Sequence, residues 1–248
     1  METVYILWLR EVKKYFRSKS RIIGSLAQPL LFLISFGFGF GSIYQKAGEG
    51  NYLQFLAPGI ILMSVLFTAI FSGINLIWDK QFGFLKETLV APVSRLSIVL
   101  GKTLGGATVA VIQGCIVFLL TLLIGFRPIN LLTLPIAFIF CFLTALVFTS
   151  IGTAIASILE DMQGFQLVMN FLIMPVFFLS GALFPINQLP SSIKVITKIN
   201  PLTYGVDGLR GVLAGGPNFS LSGDFLILAI FAGITLAVGS YLFSKMQI

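Results

Sequence analysis

The sequence contains no histidine and only two cysteines in 248 residues. Without histidine there is no imidazole metal site, no Ser-His-Asp triad and no histidine proton relay. Cys115 and Cys141 both sit inside apolar runs, form no C-x-x-C pair and carry no signal of redox compartment. Both read as buried free thiols. Charge is equally scarce. Sixteen Lys+Arg and nine Asp+Glu make up 10% of the chain, against about 25% in a soluble domain, while hydrophobic residues reach 57%. So few charges cannot cover a soluble globule of this size. An ordinary soluble enzyme, a disordered chain and a disulfide scaffold are therefore excluded, and a membrane protein is indicated.

Further patterns are missing. Period-two alternation is absent, which argues against a transmembrane β-barrel. Gly101-Lys102-Thr103 resembles the end of a phosphate-binding loop, but the pattern requires Gly at 96, where Leu stands, and no strand precedes it. Glu160-Asp161 is an acidic pair with no base or metal partner in its turn and reads as solvated. No residues are paired for general acid–base work.

What the chain does contain is six apolar stretches of membrane-spanning length, at about 22–44, 53–77, 98–126, 131–158, 165–186 and 225–244. None holds an acidic residue, as proton or sodium coupling would require. Lys102 is the one basic residue, near enough to a span end to snorkel to the headgroups. Pro29, Pro58, Pro135 and Pro175 fall inside spans and predict kinks. Gly37-x-x-x-Gly41 and Gly101-x-x-x-Gly105 have the spacing that lets helices approach closely, a weak signal in a chain with 25 glycines.

With six spans, both termini lie on one side. That side collects eleven cationic residues: Arg10, Lys13, Lys14, Arg17, Lys19, Arg21, Lys80, Lys86, Arg95, Lys102 and Lys245. The other has five: Lys46, Arg127, Lys194, Lys198 and Arg210. The positive-inside rule places the termini in the cytoplasm. The basic N-terminal region is too long for a cleaved signal peptide. On a helical wheel, Val4, Tyr5, Trp8, Leu9, Val12, Tyr15 and Phe16 form one face and Arg10, Glu11, Lys13, Lys14 and Arg17 the other, with Ile6 and Leu7 as exceptions. This predicts an amphipathic helix in the cytoplasmic interface; an anchor that fixes topology and a brace for a partner are equally consistent.

Two connecting segments carry more than a linker needs. The cytoplasmic stretch 79–95 mixes charge with Phe82, Phe84, Leu85, Leu89 and Val90, and predicts a short amphipathic helix from Phe84 to Val90 stopped by Pro92. A partner surface and a helix resting on headgroups both fit it. The external stretch 185–224 predicts two short helices. One is capped by Ser191, runs to Ile199 and carries Ile193, Ile196 and Ile199 on one side. The other, about 202–213, has Asp207 and Arg210 as i,i+3 partners and ends at Gly215-Gly216-Pro217. Both are too short to span.

Two segments resemble the membrane subunit of ABC-2 type exporters, in particular the daunorubicin-resistance-type drug-export permeases. One is Phe82-Gly-Phe-Leu-Lys-Glu-Thr-Leu-Val-Ala-Pro-Val-Ser-Arg95. The other is Pro175-Val-Phe-Phe-Leu-Ser-Gly-Ala-Leu-Phe-Pro185 with Leu189-Pro190, Asn200-Pro201-Leu-Thr-Tyr204, Asp207 and Arg210. The resemblance implies an all-α integral membrane protein. Six transmembrane helices would form one domain, 1–248, with an amphipathic interfacial helix (1–21), a coupling helix (79–97) and external re-entrant helices (185–224). It implies a permease that is not itself an enzyme and holds no cofactor. It would work as a homodimer with two copies of an ABC ATPase that binds ATP and Mg, in the plasma (inner) membrane. By that resemblance Phe84, Lys86, Glu87, Leu89, Pro92 and Arg95 contact or position the ATPase. Phe184, Pro185, Asn200, Pro201, Tyr204, Asp207 and Arg210 form the external gate.

The pathway would run between protomers along spans two and five, where polarity and soft apolar character single out Thr68, Ser72, Asn75, Asn170, Met174 and Phe177. Core packing explains Met174 and Phe177 equally well. The mostly apolar walls lean toward a hydrophobic or amphipathic substrate, such as a drug, lipid or lipid-linked molecule, and nothing suggests nucleic acid. A passive channel or secondary transporter, and a membrane scaffold without transport, are the competing readings. No filter-like loop or inverted repeat speaks for the first.

Overall fold

The computed structural model describes residues 2–46, 51–90 and 92–246. Eleven α-helices account for most of them, and no strand occurs among the described residues. They are α1 (Glu2–Arg17), α2 (Lys19–Lys46), α3 (Tyr52–Phe71), α4 (Ile74–Gln81), α5 (Phe84–Val90), α6 (Arg95–Ile124), α7 (Leu134–Ile158), α8 (Met162–Phe178), α9 (Ser191–Ile199), α10 (Pro201–Leu213) and α11 (Leu221–Ser244).

Short polar residues start many of these helices by accepting a free backbone N–H of the first turn. Asn51 accepts from Leu53, Ser94 from Ser97, Asp161 from Gly164, Asn200 from Leu202 and Ser220 from Gly223. Asp161 is therefore a helix cap rather than a bystander in a turn. Gly125 ends α6 in the left-handed region, at φ 118°. Ser191 falls inside the first turn of α9, which has no side-chain cap, so the expected cap is not there. Pro135 lies in the first turn of α7, where the lost N–H costs nothing, and so begins that helix instead of kinking it. Pro29, Pro58 and Pro175 do lie inside helices.

Among the described residues, five helical segments are long and apolar enough to cross a membrane: 19–41, 52–81, 95–124, 131–158 and 221–244. The fifth predicted span ends early. α8 is apolar but stops at Phe178, and the chain then turns through Gly181, at φ 76°. The second span is not one regular helix. At Ser72–Gly73 the backbone tightens to i→i+3 bonds, Gly73 N to Ile70 O, Asn75 N to Ser72 O and Leu76 N to Gly73 O, and the direction is taken up again by α4.

α3 is the centre of the bundle. Leu56, Ile60, Leu62, Val65, Leu66, Ala69 and Ile70 are completely buried in it, and α2, α6, α7 and α10 pack around it. α11 lies along α7, and α10 wedges between α3, α7 and α11. α2 and α8 instead expose broad apolar faces, including Ile23, Phe38, Leu167 and Phe171. Such surface suits lipid or a second helical surface, and a water-facing protein would not carry it. Cys141 is buried as expected, whereas Cys115 is exposed on α6.

Candidate functional site

The side chains that organise the molecule collect at the two ends of the long segment formed by α3 and α4. At the α4 end, Asp79 is buried and receives three donors. Arg10 Nη1 and Nη2 donate to Oδ2 and Oδ1 at 2.8 and 2.7 Å, a bidentate pair, and Lys102 Nζ donates to Oδ2. One carboxylate thus joins α1, α4 and α6. The Arg10 guanidinium also lies 3.7 Å over the ring of Phe84, the first residue of α5. The hydrogen bonds from Arg10 to Asp79 hold the guanidinium charged, above its usual range, while burial pulls the Lys14 ammonium down. Lys102 does not snorkel. It is 7% exposed, and its ammonium is held inside the protein by Asp79. The expectation that acidic residues stay out of the spans is corrected by the same contact, since the second spanning segment extends through Asp79.

α1 is positioned by close approach to α6. A Cβ on Gly101 would lie 2.8 Å from Leu7 Cβ, and one on Gly105 would lie 2.7 Å from Glu11 Cβ. Gly101-x-x-x-Gly105 is therefore a true packing motif, whereas at Gly41 nothing lies within 4 Å and at Gly37 the neighbours are at ordinary distance. Trp8 Nε1 donates to Thr108 Oγ1 at 2.9 Å, and Tyr15 Oη donates to Gln113 Oε1 at 2.5 Å. Contacts that advance together along both helices show α1 running lengthwise along α6. Its buried stripe is Leu7, Glu11 and Tyr15, at the boundary between the apolar and charged faces of the wheel, and Tyr5, Ile6 and Phe16 remain exposed. Glu11 tolerates this position because Asn75 Nδ2 donates to its Oε2 at 2.9 Å and Arg10 lies 3.5 Å from its Oε1.

α5 forms where the sequence places it, from Phe84 to Val90. Leu85 is its buried residue, while Glu87, Val90 and Pro92 are exposed. The side chains of Lys86 and Leu89 lie outside the described residues. Arg95 turns the other way. Its Nη1 donates to the carbonyls of Ser244 and Met246 at 2.5 and 3.3 Å and so ties the start of α6 to the end of α11.

The α3 start is held differently. Arg210 is buried, and it donates from Nε to Phe55 O at 3.2 Å and from Nη2 to Gly181 O and Ala182 O at 3.0 and 3.4 Å. Its guanidinium also sits 3.8 Å over the Phe55 ring. Asp207, equally buried, accepts from Asn218 N and Nδ2 and from Phe219 N. The two are thus not ion-pair partners: each turns away from the other to satisfy backbone that no helix satisfies. Asn200 Nδ2 donates to Val176 O at 2.6 Å, and Tyr204 Oη donates to Lys198 O at 2.6 Å. Pro201 occupies the first turn of α10, Phe184 is exposed and Pro185 half-buried.

The six expected pathway residues do not converge within one protomer. Thr68, Ser72 and Asn75 line a cavity of about 300 Å³ bounded by α1, α2, α3, the start of α4 and α6. Asn170 and Met174 lie on the exposed face of α8. Phe177 is buried with its ring edge-on to Phe32.

The described residues thus form an all-helical bundle with five helical segments of membrane-spanning length and a short helix, α5, between the second and third of them. The chain belongs to the ABC-2 type transporter family, whose model matches residues 2–214. It is 32% identical over 217 residues to a protein of Cyanophora paradoxa named as transport permease ycf38, covering 85% of this chain and 73% of the relative. It is 31% identical over 216 residues to the protein of the same name in Pyropia yezoensis, with the same coverage, 85% and 73%. It is also 29% identical over 215 residues to Nodulation protein J of Rhizobium leguminosarum bv. trifolii, covering 86% and 79%.

Proposed function

We propose that the chain is the membrane-spanning half of an ATP-driven exporter. Two copies form the pathway, and two separate ABC ATPase subunits bind ATP and Mg on the side that carries both termini, the cytoplasmic face of the plasma (inner) membrane. The substrate is a hydrophobic or amphipathic molecule such as a drug, a lipid or a lipid-linked molecule. The observation that carries this reading is α5. It is a short helix with an exposed acidic edge at Glu87, and Phe84, its first residue, stacks on the Arg10 guanidinium that Asp79 fixes to the spanning helices. A push on α5 is thereby delivered to α1, α4 and α6 together. In this reading a separate ATPase supplies the energy, and α5 is the port through which it enters.

The test is transport into inside-out proteoliposomes containing the subunit with or without its ATPase. ATP-dependent uptake only with both chains is expected, and uptake by the isolated subunit without ATP overturns the reading. Glu87→Ala is expected to lower transport at least about tenfold while membrane insertion and thermal stability stay unchanged, because an exposed glutamate contributes little to the fold. Normal transport by that variant would reduce α5 to an interfacial anchor.

A further inference from the structure

We infer that the cavity bounded by α1, α2, α3, the start of α4 and α6 is a binding site, within one protomer, for an amphipathic molecule whose head is a hydrogen-bond-donating ammonium. The reading rests on the transport function proposed above, but it places recognition inside the protomer and not on the seam between two.

Three observations carry it. First, the volume of about 300 Å³ is of the size that holds a compact ring system or a lipid headgroup with the first carbons of its tails. Second, the lining is divided. Met63, Phe67, Phe71 and Val109 supply an apolar wall, and Ser25, Gln28, Ser64, Thr68 and Asn75 supply hydrogen-bonding groups. Third, a carboxylate is built into that lining. Glu11 is 6% exposed, and its Oε1 receives no hydrogen bond from the protein. Its neighbour Arg10 approaches to 3.5 Å but commits its hydrogen bonds to Asp79. A buried carboxylate with an unused acceptor is costly unless a donor reaches it. An ammonium N–H supplies both the charge and the hydrogen bond, and the apolar wall accommodates the rest of the ligand. Arg21, on the rim of the same cavity, is exposed and so leaves the buried end of the site to Glu11.

The shared chemistry admits two sources, the ethanolamine head of a membrane phospholipid and a free amphipathic amine. The experiment uses the purified subunit in phosphatidylcholine nanodiscs, whose quaternary heads donate no hydrogen bond. It is titrated with a dansyl-labelled primary alkylamine and with the N-acetylated form of the same probe. Saturable binding of the amine, at least about tenfold tighter than the acetylated probe, is expected. Glu11→Gln should bring the two affinities within about twofold. Trp8→Phe removes a hydrogen bond between α1 and α6, to Thr108, away from the cavity lining, and should preserve the preference, so the Glu11→Gln result is separable from general damage to α1. Gly24→Phe should abolish binding of both probes: a Cβ on Gly24 meets nothing within 4 Å, and the larger ring can fill the cavity without a backbone clash.

Nanodiscs containing phosphatidylethanolamine separate the sources. Competition with the probe, with a phosphatidylethanolamine adduct retained in native mass spectra of the wild type but not of Gly24→Phe, assigns the site to lipid. Unchanged probe affinity assigns it to a free amine. Absence of saturable binding, equal affinity for both probes, or an undiminished preference in Glu11→Gln overturns the inference. No ATPase is present, so such a failure leaves ATP-driven export untouched.

Discussion

The two ends of the segment α3–α4 are held by opposite means. Around Asp79, side chains from different helices bind one another. Around Arg210 and Asp207, side chains bind backbone: carbonyls of Phe55, Gly181 and Ala182 on one side, N–H groups of Asn218 and Phe219 on the other. The difference follows from what each end must solve. Near Arg210 the chain leaves helical geometry between Leu179 and Pro185, and each buried carbonyl there needs a donor. Near Asp79 the backbone is helical and self-satisfied, and what needs fixing is the relation of one helix to the next. A clamp on backbone holds a shape; a clamp between side chains holds a relation, and relations can be exchanged.

The comparison breaks first at Arg210. Arg210→Ala leaves three carbonyls without their donor and should cost about 3–5 kcal/mol, read as loss of the folded peak in thermal unfolding followed by size-exclusion chromatography. Arg210→Lys should recover little of it, because one ammonium cannot reproduce the fork that reaches Phe55 and the 181–182 turn together. Asp79→Asn should cost less, about 2–3 kcal/mol, because Arg10 keeps part of its solvation, but it should abolish ATP-dependent transport. Unchanged transport in Asp79→Asn would mean that the charge cluster only stabilises. Gly105→Leu should cost about 2 kcal/mol by forcing α1 off α6, and should make the α1–α2 junction near Arg17 sensitive to trypsin. Asp207→Asn keeps one acceptor and should cost about 1 kcal/mol, visible as a small downward shift in thermal midpoint.

Much of the architecture is legible from periodicity and punctuation alone: five of the six expected spanning segments, α5 with its stop at Pro92, and α10 ending at Gly215-Gly216. The end of α8 is not, because the residues from Leu179 to Ile186 stay apolar and hydropathy cannot separate a helix from a buried turn. The Lys102–Asp79 pair is not legible either. The partners are 23 residues apart on different helices, and Asp79 falls at the edge of a span, where a charge reads as solvated. Glu11 lies on the charged side of the wheel, and only the close approach at Gly105 shows that it is buried. Arg210 defeats pair-seeking for a simpler reason. A carboxylate three residues away suggests a partner, while the true partners are carbonyls, which every residue has and no sequence marks.

The tightened turn at Ser72–Gly73 has a mechanical consequence. It separates α4 from the anchored body of α3, and α4 is eight residues long, about 12 Å. A tilt of about 10° at the turn would then move the far tip of α4 by roughly 2 Å, as a short lever moves about its fulcrum. The fulcrum is walled in: a Cβ on Gly73 would lie 2.5 Å from the carbonyl oxygen of Gly152 and 2.9 Å from the ring of Phe165. The lever is thus seated against α7 and α8, and any swing of α4 bears on both.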